Sequence, residues 1–210
     1  MPLYKIFSTP IKLISFSREY IVCEDISRLI LDISNKEKYR KLDTPTNQHN
    51  IYESHFSFLE TKEPCIQNLK KYIFQSLYYF IKEVTSTQYR NLENTKIYCD
   101  SWFHVTTKDG YITGHNHPNA SWSCIYMVNP GDPDMGGILN IHDPMPHRNM
   151  YKDPTNSYMT DEFKPGSLNL PMQANQLLIF PSYLYHDVTP YHGDSPRVTI
   201  AANFTFGKSK

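Results

Sequence analysis

The apolar residues change period near residue 96, and that change limits the chain to a layer of helices followed by a many-stranded unit. Before it, the spacing is helical. Ile26, Leu29, Ile30 and Ile33 recur at i, i+3, i+4 and i+7, which predicts a helix over 25–41 whose lysine-rich end suits a helix C-terminus. A longer stripe of Ile66, Leu69, Ile73, Leu77, Phe80 and Val84 predicts a second helix from about Pro64 to Val84, with Pro64 in its first turn. Residues 43–56 between them read as polar and turn-like.

After residue 96 the period is two. Strands are expected at Ile97–Thr106, ending at an Asp109-Gly110 turn, at Ser121–Val128, Ile138–His142, Leu177–Phe180 and Tyr185–Thr189. The last strand is the clearest. Val198, Ile200, Ala202, Phe204 and Phe206 share one face, and Arg197, Thr199, Ala201, Asn203 and Thr205 share the other. All 8 Gly, 11 of 15 Pro and 7 of 9 His follow residue 100, so the turns and the imidazoles belong to the strand-rich half. Short strands between Gly/Pro turns predict a β-sandwich or barrel, with the helices as a packing layer. The expected organisation is one domain over 1–210: a helical buttress with the first strands to about 95, then the barrel over 96–206. The segment between Pro144 and Pro165 has few structure signals and is expected to be a lid or binding loop.

Bulk properties exclude several functions. Lys+Arg and Asp+Glu both number 21, so nucleic-acid binding and electrostatic membrane docking are not expected as the main activity. Lys5, Pro10 and Lys12 interrupt the N-terminus, so no signal-peptide core forms, and the apolar run Tyr72–Ile81 is too short to span a bilayer. Cys23, Cys65, Cys99 and Cys124 contain no CxxC pair and are expected to be reduced thiols of a cytoplasmic protein.

The chemistry gathers in the second half. His115 and His117 stand two apart at the start of a predicted strand, so their side chains are expected on one face, and His186 begins a distant strand. Three such imidazoles can converge on a divalent ion, because neutral imidazole suits Fe, Zn, Ni and Cu. The HxH spacing alone is common by chance and is equally compatible with turn or surface histidines. The combination is more specific. Arg197, eleven residues after His186, offers a fork for a carboxylate near the metal, and the hydroxyl of Thr199 can share it.

At these residues the chain resembles the iron(II)- and 2-oxoglutarate-dependent oxygenases, in particular a small bacterial and phage group distantly related to prolyl 4-hydroxylases. The resemblance rests on GHNHPNASWSCIYMV (114–128), GGILNIHDP (136–144), NQLLIFPSYLYHDVTPYHGDSPRVTIAANF (175–204) and, more weakly, IFSTPIKL (6–13). It implies a mainly β fold with flanking N-terminal helices (α+β), a double-stranded β-helix of the jelly-roll or cupin-like type, with the metal at its open end. It also implies His115 and His186 as ligands to Fe(II), and Arg197 with Thr199 as partners of the distal carboxylate of 2-oxoglutarate. The expected activity is hydroxylation of a C–H bond with O2, releasing succinate and CO2. The substrate, a small molecule or a peptidyl residue, and the oligomeric state are not legible.

One departure stands out. The superfamily pattern is His-x-Asp/Glu…His, and here His117 takes the place of the carboxylate. Either His117 binds and makes a three-histidine site, or Asp143 supplies a carboxylate from a neighbouring strand, or only His115 and His186 bind. Strand parity favours the first. Asp187, next to His186, faces the other way. Tyr126 and Trp122 lie on the strand after the motif; core is the ordinary place for such aromatics, and Tyr126 is the candidate for a co-substrate contact. His104 is expected in the core or beside the site, and His142, His147 and His192 near turns and solvated. Two rivals remain. One is a cupin-type metalloprotein without 2-oxoglutarate, which lacks the expected Glu at 120–122 and leaves Arg197 without a role. The other is a non-catalytic metal-binding barrel.

Overall fold

In the computed structural model, which describes residues 8–17, 23–43, 46–85, 95–147, 153, 158–160, 163 and 166–208, the two helical stripes form two helices. Helix α1 spans Cys23–Ser34 and α2 spans Pro64–Val84. Ile26, Ile30, Ile66, Leu69, Ile73 and Leu77 are all 0 % exposed, so the stripes are the buried faces. Each such side chain contributes about 1.5–3 kcal/mol over leaving it in water. The first helix is shorter than 25–41. The Ser34 hydroxyl and the Asn35 N–H both donate to the carbonyl of Leu31, and no apolar residue follows Ile33 before Tyr39. Side-chain competition and the loss of a buried face therefore end it, and Glu37–Tyr39 forms a single 3-10 turn.

The strands are β1 (Lys12–Ser15), β2 (Gln48–Glu53), β3 (Thr95–His115), β4 (Trp122–Asn129), β5 (Leu139–Ile141), β6 (Leu168–Leu170), β7 (Gln176–Pro181), β8 (His186–Tyr191) and β9 (Arg197–Lys208). Their order is β1-β7-β4-β9-β3-β8-β5-β6, with β2 also on β3, and every pairing is antiparallel. The sheet curls into a half-barrel of jelly-roll type, with the helices on its outer face.

Two expectations need correction. Residues 43–56 are not all turn: they contain β2, which pairs with β3 and alternates Ile51 and Glu53, each 5 % exposed, with half-exposed Tyr52. Its polar composition hides a strand that tertiary pairing imposes. The Asp109-Gly110 pair does not close a hairpin either. The register jumps from Ile51↔Thr106 to His49↔Tyr111, so residues 107–110 form an excursion within one long strand, with Asp109 at φ 62°. That excursion redirects β3. Thr95–Thr106 pair with β9, and Gly110–His115 pair with β8.

Strand β9 divides the interior as its alternation predicts. Val198, Ile200, Ala202 and Phe204 join the core against α1 and α2. Arg197, Thr199, Ala201 and Asn203 face into the barrel, beside a second apolar cluster that includes Ile112, Leu139, Phe180 and Val188. Most of the expected 144–165 lid lies outside the described residues. Among the described residues, no helix is long and apolar enough to cross a membrane.

Candidate active site

The three histidines meet because two strands bring them face to face. His115 ends β3 and His186 starts β8, and the two are directly paired across the ladder, with ring centroids 4.2 Å apart. His117 lies two residues on, held by its backbone N–H donating to the carbonyl of Ser182 at 2.9 Å. One ring nitrogen from each of the three lies within 4.8 Å of the others. Imidazole–metal bonds of about 2.1 Å allow ligands at most about 4.2 Å apart, so the rings would draw in on an ion.

Their tautomers are set by the backbone. His115 Nδ1 lies 2.9 Å from the carbonyl of Thr113, and His186 Nδ1 lies 2.9 Å from that of Leu184. A carbonyl only accepts, so each Nδ1 carries the proton and each Nε2 presents a lone pair. Burial lowers His115, holds His117 down at about 4 and His186 at about 3, with the neighbouring imidazoles adding to the last two. At neutral pH all three are uncharged donors, as a divalent ion requires.

The same narrow cavity is lined by Arg197 and Thr199. Arg197 is 4 % exposed, and among the described residues no carboxylate pairs with it. Burial pulls its guanidinium down to about 10, with Tyr191 opposing. A buried cation without a counter-charge is costly and attracts an anion. The approach to Arg197 depends on Gly137, at φ +67°, where a Cβ would sit 2.9 Å from Arg197 Cδ. Tyr191, 0 % exposed, braces the adjacent turns: its hydroxyl accepts from the Asp132 N–H at 2.7 Å and donates to the Ser195 carbonyl at 2.5 Å.

Other expected residues fall elsewhere. Tyr126 is not brought to this cavity. It is 0 % exposed on the helix side of β4, its hydroxyl 2.7 Å from Asn175 Oδ1 and 3.2 Å from Cys23 Sγ. Strand parity accounts for this: Ser123 and Ile125 face the cavity, whereas Tyr126 and Val128 join the helix-side core, with Cys124 of that face also reaching the cavity lining. Trp122 packs on Phe80 of α2. Asp143 closes a turn, with Oδ1 accepting the N–H of Met145 at 2.8 Å, and does not join the histidine cluster. Asp187 turns away to Asn140 and His142, at 2.8 and 2.6 Å. His147 is exposed, and His192 is an exposed partner of Asp109.

A wider cavity of about 510 Å³ shares Trp102, His104, His115 and His117 as walls. His104 is buried there against Glu53, Nε2 to Oε2 at 2.8 Å. Glu53 and Gln48, on β2, are the site residues that sequence reasoning missed. A buried glutamate at alternating spacing with Ile51 was the available signal.

This fold and this donor set define a jelly-roll barrel built to hold a metal and an anion. Residues 100–203 match the protein family described as "Putative 2OG-Fe(II) oxygenase", and the chain belongs with the iron(II)- and 2-oxoglutarate-dependent oxygenases, whose cofactors are Fe(II) and 2-oxoglutarate. Solved structures support the fold. A prolyl-4-hydroxylase from Pseudomonas putida is 13 % identical, with a TM-score of 0.55, covering 96 % of this chain and 94 % of that one. A prolyl hydroxylase from Trichoplax adhaerens, solved with a hypoxia inducible factor fragment, is 14 % identical, with a TM-score of 0.59 and coverages of 92 % and 82 %. HygX from Streptomyces hygroscopicus, solved with nickel and 2-oxoglutarate, is 11 % identical, with a TM-score of 0.56 and coverages of 94 % and 83 %. No curated protein matches in sequence.

Proposed function

We propose that this enzyme is a hydroxylase in which His115, His117 and His186 hold Fe(II), while Arg197 and Thr199 hold the distal carboxylate of 2-oxoglutarate. One observation carries the reading: three neutral imidazoles and a buried guanidinium that has no carboxylate partner among the described residues line one cavity. When bound, the iron and co-substrate supply an O2-dependent oxidation of a C–H bond, with release of succinate and CO2. The chain's residues orient and desolvate. Thr113 and Leu184 fix the ring tautomers, Gly137 leaves room for the Arg197 fork, and Ile112, Leu139, Phe180 and Val188 keep the cavity apolar.

The substrate is a small molecule or a peptidyl residue, and the whole chain works as one domain. Among the described residues Cys23, Cys65, Cys99 and Cys124 form no disulfide, which suits the cytoplasm. The test is succinate release by purified protein with Fe(II), 2-oxoglutarate and O2. Release that requires all three supports the reading, and protein that neither binds nor turns over 2-oxoglutarate overturns it.

A further inference from the structure

Three residues lining the wider cavity each carry a buried polar atom that has no hydrogen-bond partner among the described residues: Glu53 Oε1, Gln48 Oε1 and Trp102 Nε1. Glu53 is 5 % exposed and Trp102 6 %. The second oxygen of Glu53 is tied to His104, so the carboxylate is pinned with Oε1 left over. A buried acceptor of this kind is destabilising until a donor reaches it. Apart from His104, which holds the other oxygen, and the His115 and His117 imidazoles, the lining offers it no basic side chain. It carries two carboxylates, Glu53 and exposed Asp100, and neither Lys nor Arg. Phe56 and Trp102, with centroids 4.8 Å apart, add an aromatic side, against which Lys41, outside the lining, already holds its ammonium 4.7 Å from the Phe56 ring. Acidic oxygens beside aromatic faces favour a positive ligand.

We infer that this cavity receives a cationic group of the substrate, a primary ammonium or guanidinium, and that Glu53 selects it. The Trp102 N–H then takes an oxygen acceptor carried beside the cation, such as a carbonyl. The inference rests on the oxygenase reading, because His115 and His117 form part of the same wall and make its occupant the group presented for reaction.

The test uses calorimetric titration of four matched probes: the N-acetyl methylamides of lysine, norleucine, 6-hydroxynorleucine and glutamate. Each is titrated into the protein loaded with Mn(II) and 2-oxoglutarate, and into the metal-free protein. The lysine probe is expected to bind at least about tenfold tighter than the other three, the difference expected of a charge-assisted bond. Glu53→Gln should erase that preference while 2-oxoglutarate affinity moves by less than about twofold. Asp100→Asn, at an exposed position, should reduce the preference by about threefold and guards against a Glu53 variant that does not fold. Equal binding of the hydroxyl and ammonium probes, or a preference that survives both substitutions, overturns the inference. Failure to take up Mn(II) and 2-oxoglutarate overturns the oxygenase reading instead, and the metal-free titrations then judge the cavity's selectivity separately.

Discussion

The two faces of β9 belong to one strand and perform opposite tasks. On the outer face, Val198, Ile200, Ala202 and Phe204 are at most 1 % exposed and pack against apolar side chains of the helices and the sheet. On the inner face, Arg197 and Thr199 are each 4 % exposed, yet they are polar and line a cavity. Equal burial thus has different costs. The outer face stabilises the fold, whereas the inner face holds a desolvated charge that the fold tolerates and a ligand can neutralise. The difference teaches that removing a side chain from one face should cost stability, and from the other should cost binding.

The largest effect is expected outside. Phe204→Ala, which also removes an edge-to-face contact with Phe74, should destabilise the protein by about 3–5 kcal/mol, read by denaturant unfolding. Next comes Arg197→Met inside. It should weaken 2-oxoglutarate binding by about 2–5 kcal/mol, read by calorimetry, with metal uptake little changed. The same variant should raise the melting temperature of the ligand-free protein, because a buried charge with no carboxylate partner among the described residues is gone. A drop in both binding and melting temperature would erase the contrast between the faces.

Tyr126→Phe sharpens the comparison. It leaves Asn175 Oδ1 without the Tyr126 hydroxyl and should cost about 1–2 kcal/mol of stability, with 2-oxoglutarate affinity unchanged. A loss of co-substrate binding would return Tyr126 to the site. The smallest effect concerns pH. Unfolded histidine takes a proton near its ordinary 6.5, whereas folded His117 and His186 do so only near 4 and 3. Between those values the unfolded chain binds more protons. Metal-free protein should therefore keep this stability above pH 6.5 and lose it progressively as pH falls toward 4. His117→Gln should make that slope shallower in thermal unfolding followed across pH.

Legibility in the sequence followed the same division. Regular alternation placed the start of β9 and its two faces, though the strand runs on to Lys208, and the i, i+3, i+4 stripe located α2 at both ends. Spacing singled out His115, His117, His186, Arg197 and Thr199, which the structure brings to one cavity; parity accounts for Arg197 and Thr199 on β9, whereas His117 lies beyond the end of β3. Glu53 and Gln48 were not legible, because β2 has few apolar residues and exists through its pairing with β3. Tyr126 was misdirected for a related reason. Its strand was expected, but which face of that strand looks inward is decided by where α1 and α2 pack. Asp109-Gly110 has turn chemistry, and only the partners of β3 on both sides convert it to an excursion.

That excursion has a consequence for how the barrel tolerates length change. Thr106, opposite Arg197, and His115, opposite His186, lie on one continuous backbone with residues 107–110 between them. Insertions or deletions of two residues there would preserve the side of the sheet on which His115 emerges. A single-residue change would reverse it and turn the imidazole away from its neighbours. The stretch acts as an expansion joint with an even-numbered rule, setting how far the His115–His186 pair lies from the Thr106–Arg197 pair.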